Sequence, residues 1–137
     1  MAGGIDSTIG TAILAALSPN TGTQTIGAKT ITGPQHLRLM TANGSDTALG
    51  TELATSGGYT AGGIALTMGT AASLSVTTTA AASWTSMPAT TLTGMEQWDT
   101  SATPQRLFWA PWTAGSIAVA SGNTFTVAAG SLTDTLA

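Results

Sequence analysis

One histidine, His36, and six carboxylates (Asp6, Asp46, Glu52, Glu96, Asp99 and Asp134) form the acid–base inventory of this 137-residue chain. A Ser/His/Asp triad needs the histidine held between a serine and a carboxylate, and serines are plentiful. No Gly-x-Ser-x-Gly elbow occurs, however, and His36 opens an alternating segment beside Arg38, so it reads as an ordinary strand residue. Glycoside hydrolysis needs two carboxylates facing each other across a cleft, and no local pattern pairs any of the six. "GGYTAGG" (residues 57–63) lacks the Lys-Ser/Thr ending and the following helix of a phosphate loop. "NGSDTALGTE" (residues 43–52) offers a calcium ion only Asp46 and Glu52. The chain has no cysteine, so disulfides, thiolate zinc sites and thiol nucleophiles drop out together. The expectation is a protein that is not an enzyme and needs no cofactor or metal.

Three cations, Lys29, Arg38 and Arg106, cannot make the basic stripe that nucleic acid requires. Charged residues are 7% of the chain, against about a quarter in ordinary soluble domains. Disorder would need low hydrophobicity with high net charge, whereas this chain is 42% hydrophobic with a net charge of −3. No apolar run approaches the roughly 18 residues of a membrane span, and no secretory leader is expected from the opening residues. A neutral, hydroxyl-rich surface suits a protein held among copies of other proteins better than a free-standing enzyme.

The elements that position these groups read as mostly β. "DSTIGTAILAALSPN" (residues 6–20) spaces Ile9, Ile13 and Leu17 by four, with Leu14 beside them, as one helical stripe. Asp6 or Ser7 can cap it and Pro19 ends it. So short a helix needs a packing surface, and those four residues are expected to find it on a neighbouring subunit. Residues 20–34 read as an irregular or edge segment, either an extended arm or a hairpin. From His36 the period becomes two, with Leu37 and Leu39 on one face and His36, Arg38 and Met40 on the other. "GIALTM" and "SLSVTTT" are short strands, and residues 73–91 form a strand pair anchored by Leu74, Val76 and Trp84. "SIAVASGNTFTVA" predicts a tight hairpin over Gly122-Asn123, and "SLTDTL" a last strand. The expected fold is all-β. A single-domain antiparallel β-sandwich or barrel-like body, jelly-roll-like, occupies residues 35–137, preceded by the helix and extended arm of residues 1–34.

Alternation sorts the tryptophans. It puts Trp98 with Leu92 and Trp109 with Leu107, hence in the core, and leaves Trp84 and Trp112 as candidates for contact with a partner.

"TELATSGGYTAGGIAL" (residues 51–66) resembles a segment of small tailed-phage virion proteins, a family labelled tail-fibre-like or minor structural proteins. Thr51, Glu52, Gly57, Gly58 and Tyr59 match that family's T-E-V-S-G-G-G-Y-A-R motif, and "LRLMTANGSD" stands for the strand before it. "LTGMEQWD", ending in Asp99, "QRLFWAPW" and "SIAVASGNTFTVAAGSLTDTL" follow in the family's order. The arginine that follows the family's tyrosine is absent here, and Asn123 replaces an aspartate after Gly122. The resemblance implies a virion structural protein, made in the host cytoplasm and placed on the outer capsid surface. It implies a decoration protein, a homotrimer bound to the major capsid protein or to other virion proteins. A tail- or fibre-associated adhesin that binds host carbohydrate is the alternative. In physical terms, Gly57-Gly58 should turn the backbone sharply into a strand carrying Tyr59. The tyrosine hydroxyl should then reach a backbone group, and Glu52 should accept hydrogen bonds from the same loop.

Overall fold

The computed structural model describes residues 7–136, with side chains from Thr11 onward in the helix. The expected cap Asp6 and the Ile9 side chain lie outside the described residues. Helix α1 spans Ser7–Leu17. It ends where the Ser18 N–H bonds back to the Leu14 carbonyl at 3.0 Å, one residue before Pro19. The Leu17 carbonyl is capped by Nε2 of Gln35, a fully buried side chain. Leu14 sits in the main hydrophobic cluster with no exposed surface, while Ile13 and Leu17 are half-buried. The Leu74 N–H also donates to Thr11 Oγ1 at 3.3 Å. The expected partner of the stripe on a neighbouring subunit is thus corrected for Leu14, which packs within its own chain.

Strands β1 (Thr23–Ile26) and β2 (Lys29–Thr32) form a hairpin over Gly27-Ala28. The segment after the helix is therefore a hairpin rather than an extended arm. Strand β3 (His36–Ala42) is the centre of the largest sheet. It pairs with β4 (Thr51–Glu52), β5 (Ile64–Ala65) and β9 (Gly94–Trp98), and β9 in turn pairs with β10 (Arg106–Pro111). Every pairing is antiparallel, and the sheet is open, with β10 at one edge, so no barrel closes. The all-β expectation holds.

The second half of the chain is one long ribbon folded on itself. Strands β6 (Ser75–Thr77), β7 (Ala82–Trp84), β8 (Thr90–Leu92) and β9 run out. Strands β10, β11 (Ile117–Val119), β12 (Phe125–Val127) and β13 (Thr133–Thr135) run back. The pairs are nested: β9 with β10, β8 with β11, β7 with β12 and β6 with β13. Nesting of this kind underlies jelly rolls. It also corrects two local expectations. Residues 73–91 contain strands that pair with the returning half rather than with each other. Gly122, at φ +83°, does turn the chain, yet β11 and β12 part company after it. The turn instead bonds to the opposite bend, through Gly122 N–H to the Met87 carbonyl and Met87 N–H to the Asn123 carbonyl.

Two local shifts decide which side chains face inward. The ladder breaks at Thr93 between β8 and β9, so Leu92 is in the core while Trp98, of the same parity, lies on the opposite face. The register also slips between Arg106 and Phe108, making Leu107 a bulge residue. A one-residue slip sends every later side chain to the other face. Phe108 turns toward the core and Trp109 toward solvent, 36% exposed. The core assignment of Trp98 and Trp109 is thus corrected. So is the exposed assignment of Trp84, which is 2% exposed and lies between Tyr59 and Phe125, with ring centroids 6.2 and 6.1 Å away. Trp112 meets Phe125 edge-on at 5.8 Å and packs against the same cluster.

Candidate functional site

The outer face of the large sheet gathers most of the chain's charge. Strand pairing sets Arg38 opposite Glu96 and Met40 opposite Glu52, so both carboxylates rise from the same face as both arginines. Glu52 accepts from the Tyr59 hydroxyl at 2.7 Å, the Gly62 N–H at 2.6 Å and Arg38 at 3.3 Å. The Leu39 N–H donates back to the Tyr59 oxygen at 3.2 Å. The expected reach of the tyrosine to a backbone group and of the loop to Glu52 is therefore present. Burial pushes the phenol pKa well above its ordinary value; the Leu39 N–H opposes the shift and Glu52 adds to it. Tyr59 stays a proton donor.

The glycines before it have distinct tasks. Gly57 holds φ +55°, and a Cβ on Gly58 would overlap the Thr85 carbonyl oxygen. One supplies the left-handed bend and the other lets two backbones touch. Tyr59 itself lies on a tight turn, bonded reciprocally to Ser56, and not in a strand as expected.

Glu96 is the second hub, only 1% exposed. It accepts from Gly50 N–H, Trp98 Nε1 and Arg106 Nη1, each at 2.9 Å. Arg106 also holds the carbonyls of Ala48 and Ser45, and Trp109 Nε1 donates to Asp46 at 3.0 Å. The 43–50 loop is thereby stapled over the sheet. Arg38 stacks on Trp98, 4.2 Å from the ring centroid, and Arg106 lies 5.9 Å from that of Trp109. Leu49 projects from this loop, 61% exposed, beside Trp98. Asp99 works elsewhere: its Oδ1 accepts the Gln105 N–H at 2.6 Å and closes the β9–β10 turn. His36 Nδ1 donates to the Gly62 carbonyl at 3.0 Å.

The opposite, core-facing side of β9 and β10 is built differently. A groove of about 290 Å³ runs between β10 and β13, lined by Phe108, Met95, Leu132, Gln97 and Asp134. It adjoins a second, more apolar hollow of about 520 Å³ lined by Trp112, Ile117 and Phe125. Asp134 and Gln97 are 7% and 3% exposed. Gln97 Nε2 donates to Asp134 Oδ1 at 2.7 Å, which leaves Asp134 Oδ2 and Gln97 Oε1 buried without a partner. Burial raises the Asp134 pKa to about 6, and the Gln97 bond opposes the shift.

Of the residues singled out by sequence, the structure brings Glu52, Gly57, Gly58 and Tyr59 into one cluster and sets Trp98 and Trp109 on the face next to it. Asp99 and Gly122 serve separate turns, Leu14 and Trp84 lie in the core, and Trp112 borders the apolar hollow. Glu96, Arg106, Gln97 and Asp134 went unselected because, Trp98 apart, their partners lie 10 to 61 positions away in the chain. The match of Arg106 with Glu96 across a seven-residue turn is the signal that points to that pair, and no local pattern marks Gln97 and Asp134. Comparison with protein-family models, curated proteins and solved structures finds no match.

Proposed function

We propose that the protein is a non-enzymatic structural subunit of a tailed-phage particle, a decoration protein on the outside of the head that stabilises the shell by bridging its subunits. One observation carries this reading furthest. The carboxylates of the outer face are spent on internal bonds, three donors each for Glu52 and Glu96, and what remains exposed there is a rigid apolar and aromatic rim, Leu49 and Trp109. Trp and Arg on a pre-set surface are the usual anchors of protein interfaces. The order of the virion-protein motifs along the chain supports the same reading. A protein that binds only the assembled lattice stabilises it by mass action, and trimerisation would multiply each contact.

Particles of the encoding phage provide the test. Near-stoichiometric amounts relative to the major capsid protein, and binding of purified protein to undecorated heads, are expected. A few copies per particle would overturn the head placement. The carbohydrate-binding tail module is the second reading, favoured by one observation: the exposed Trp109 ring, whose indole N–H already belongs to Asp46 and whose face is left for stacking. Binding to host cells that Trp109→Ala abolishes would decide for it.

A further inference from the structure

The groove between β10 and β13 holds two buried acceptor atoms and no donor to meet them. Its polar end is Asp134 Oδ2 and Gln97 Oε1, both inaccessible to solvent and both unpartnered. The two side chains are locked to each other through the 2.7 Å bond from Gln97 Nε2 to Asp134 Oδ1. That bond engages one arm of each group and leaves the other oxygen of each without a donor. The groove walls are Phe108, Met95 and Leu132, an aromatic ring and two flexible apolar side chains. Among the described residues none supplies a cation there. Arg38 and Arg106 are both engaged on the opposite face of the sheet, with Glu52 and Glu96. A buried carboxylate with one empty oxygen costs stability, and a fully apolar pair would pack the same space more favourably.

Two buried acceptors at one groove, one of them charged, with an aromatic ring in the lining, are the complement of a planar cation with several N–H groups. Guanidinium fits that description better than ammonium, because it donates in a plane and stacks on rings. We propose that this groove is a socket for an arginine side chain presented by a partner protein. The groove side chains part to admit the guanidinium to Asp134 and Gln97, the stem lies along Phe108 and Met95, and the hollow at Trp112 receives the apolar residues beside the arginine. The acidic balance of the chain, −3 overall, favours a basic partner segment. The proposal does not depend on the partner being a capsid protein.

The test uses the whole chain, isotope-labelled, with N-acetyl-arginine-amide as probe and N-acetyl-citrulline-amide as its uncharged near-isostere. Saturable shifts of the Asp134 carboxyl carbon and the Gln97 side-chain amide are expected with the arginine probe. Affinity should be weaker by at least about ten-fold for citrulline, and by a similar factor for arginine on Asp134→Asn, since the opposite-charge pairing is lost in each case. Equal shifts from both probes, or no saturable shift at either residue, would overturn the socket and leave a buried acid–amide pair closed on itself. The citrulline comparison on the unaltered chain decides the matter even if Asp134→Asn does not fold. Since the probe is a small molecule, failure here leaves head binding untouched, and failure of head binding leaves the socket untouched.

Discussion

The two faces of β9 meet a buried carboxylate in opposite ways, Glu96 of its own and Asp134 from β13. On the outer face Glu96 is surrounded by three donors, one of them Arg106, and holds a loop, a strand and an indole together. On the inner face Asp134 receives one amide N–H and keeps an oxygen empty. Both groups are over nine-tenths buried. The difference lies in what surrounds them, and it separates a group that secures the fold from one that strains it. A satisfied hub needs no further donor, whereas an unsatisfied one is stabilised by any donor, water or protein, that reaches it.

The contrast breaks most visibly at Glu96. Glu96→Ala leaves Arg106 nearly buried without its counter-charge and strips Gly50 and Trp98 of their acceptor. A loss of about 3–5 kcal/mol in urea unfolding is expected; a loss under about 1 kcal/mol would show the hub to be solvated. Asp134 should respond with the reverse sign. Its carboxyl titrates near 6 when folded against an ordinary 3.8, so the folded state holds the proton more tightly. The resulting stabilisation is complete below the unfolded value and disappears as pH rises through about 6. Asp134→Asn should therefore add about 2–3 kcal/mol at neutral pH and almost nothing near pH 3. Melting curves at the two pH values check this, and an equal effect at both would remove the strain.

Tyr59→Phe comes next. It takes a donor from Glu52 and an acceptor from the Leu39 N–H while keeping the ring, for about 1–2 kcal/mol in the same unfolding assay. No change would mean that water replaces the hydroxyl. The smallest effect belongs to Trp109→Ala, within about 1 kcal/mol, because the ring is exposed and its one bond is at the surface. Truncating a core tryptophan such as Trp84 would cost about 3–5 kcal/mol. Similar melting losses for Trp84→Ala and Trp109→Ala would contradict the register slip at Leu107.

Those same tryptophans mark where the sequence stops being legible. Alternation read β3 correctly, since Leu37 and Leu39 are buried and His36 and Arg38 face outward. The loop from Glu52 to Tyr59 was legible too, because glycine before a lone tyrosine has a local steric meaning. Trp98 and Trp109 were not legible, since a break at Thr93 and a bulge at Leu107 are set by strand pairing and leave no mark on composition. Asp134 looked like any polar residue in a Thr-rich strand. Its significance arises from Gln97, 37 positions earlier, through a bond that only the folded ribbon can form.

That nested ribbon also prescribes an order in time. The β9–β10 turn is the shortest loop to close, and Asp99 holds its ends through Gln105. Each rung formed shortens the loop that the next must close, so loop entropy favours pairing outward from β8–β11 to β7–β12 and last to β6–β13. A topology dominated by such distant pairings folds slowly, on the scale of about milliseconds to seconds. The groove at β13 is therefore among the last features to exist. Because β13 forms one wall, the groove does not exist on a nascent chain until nearly the whole domain has left the ribosome.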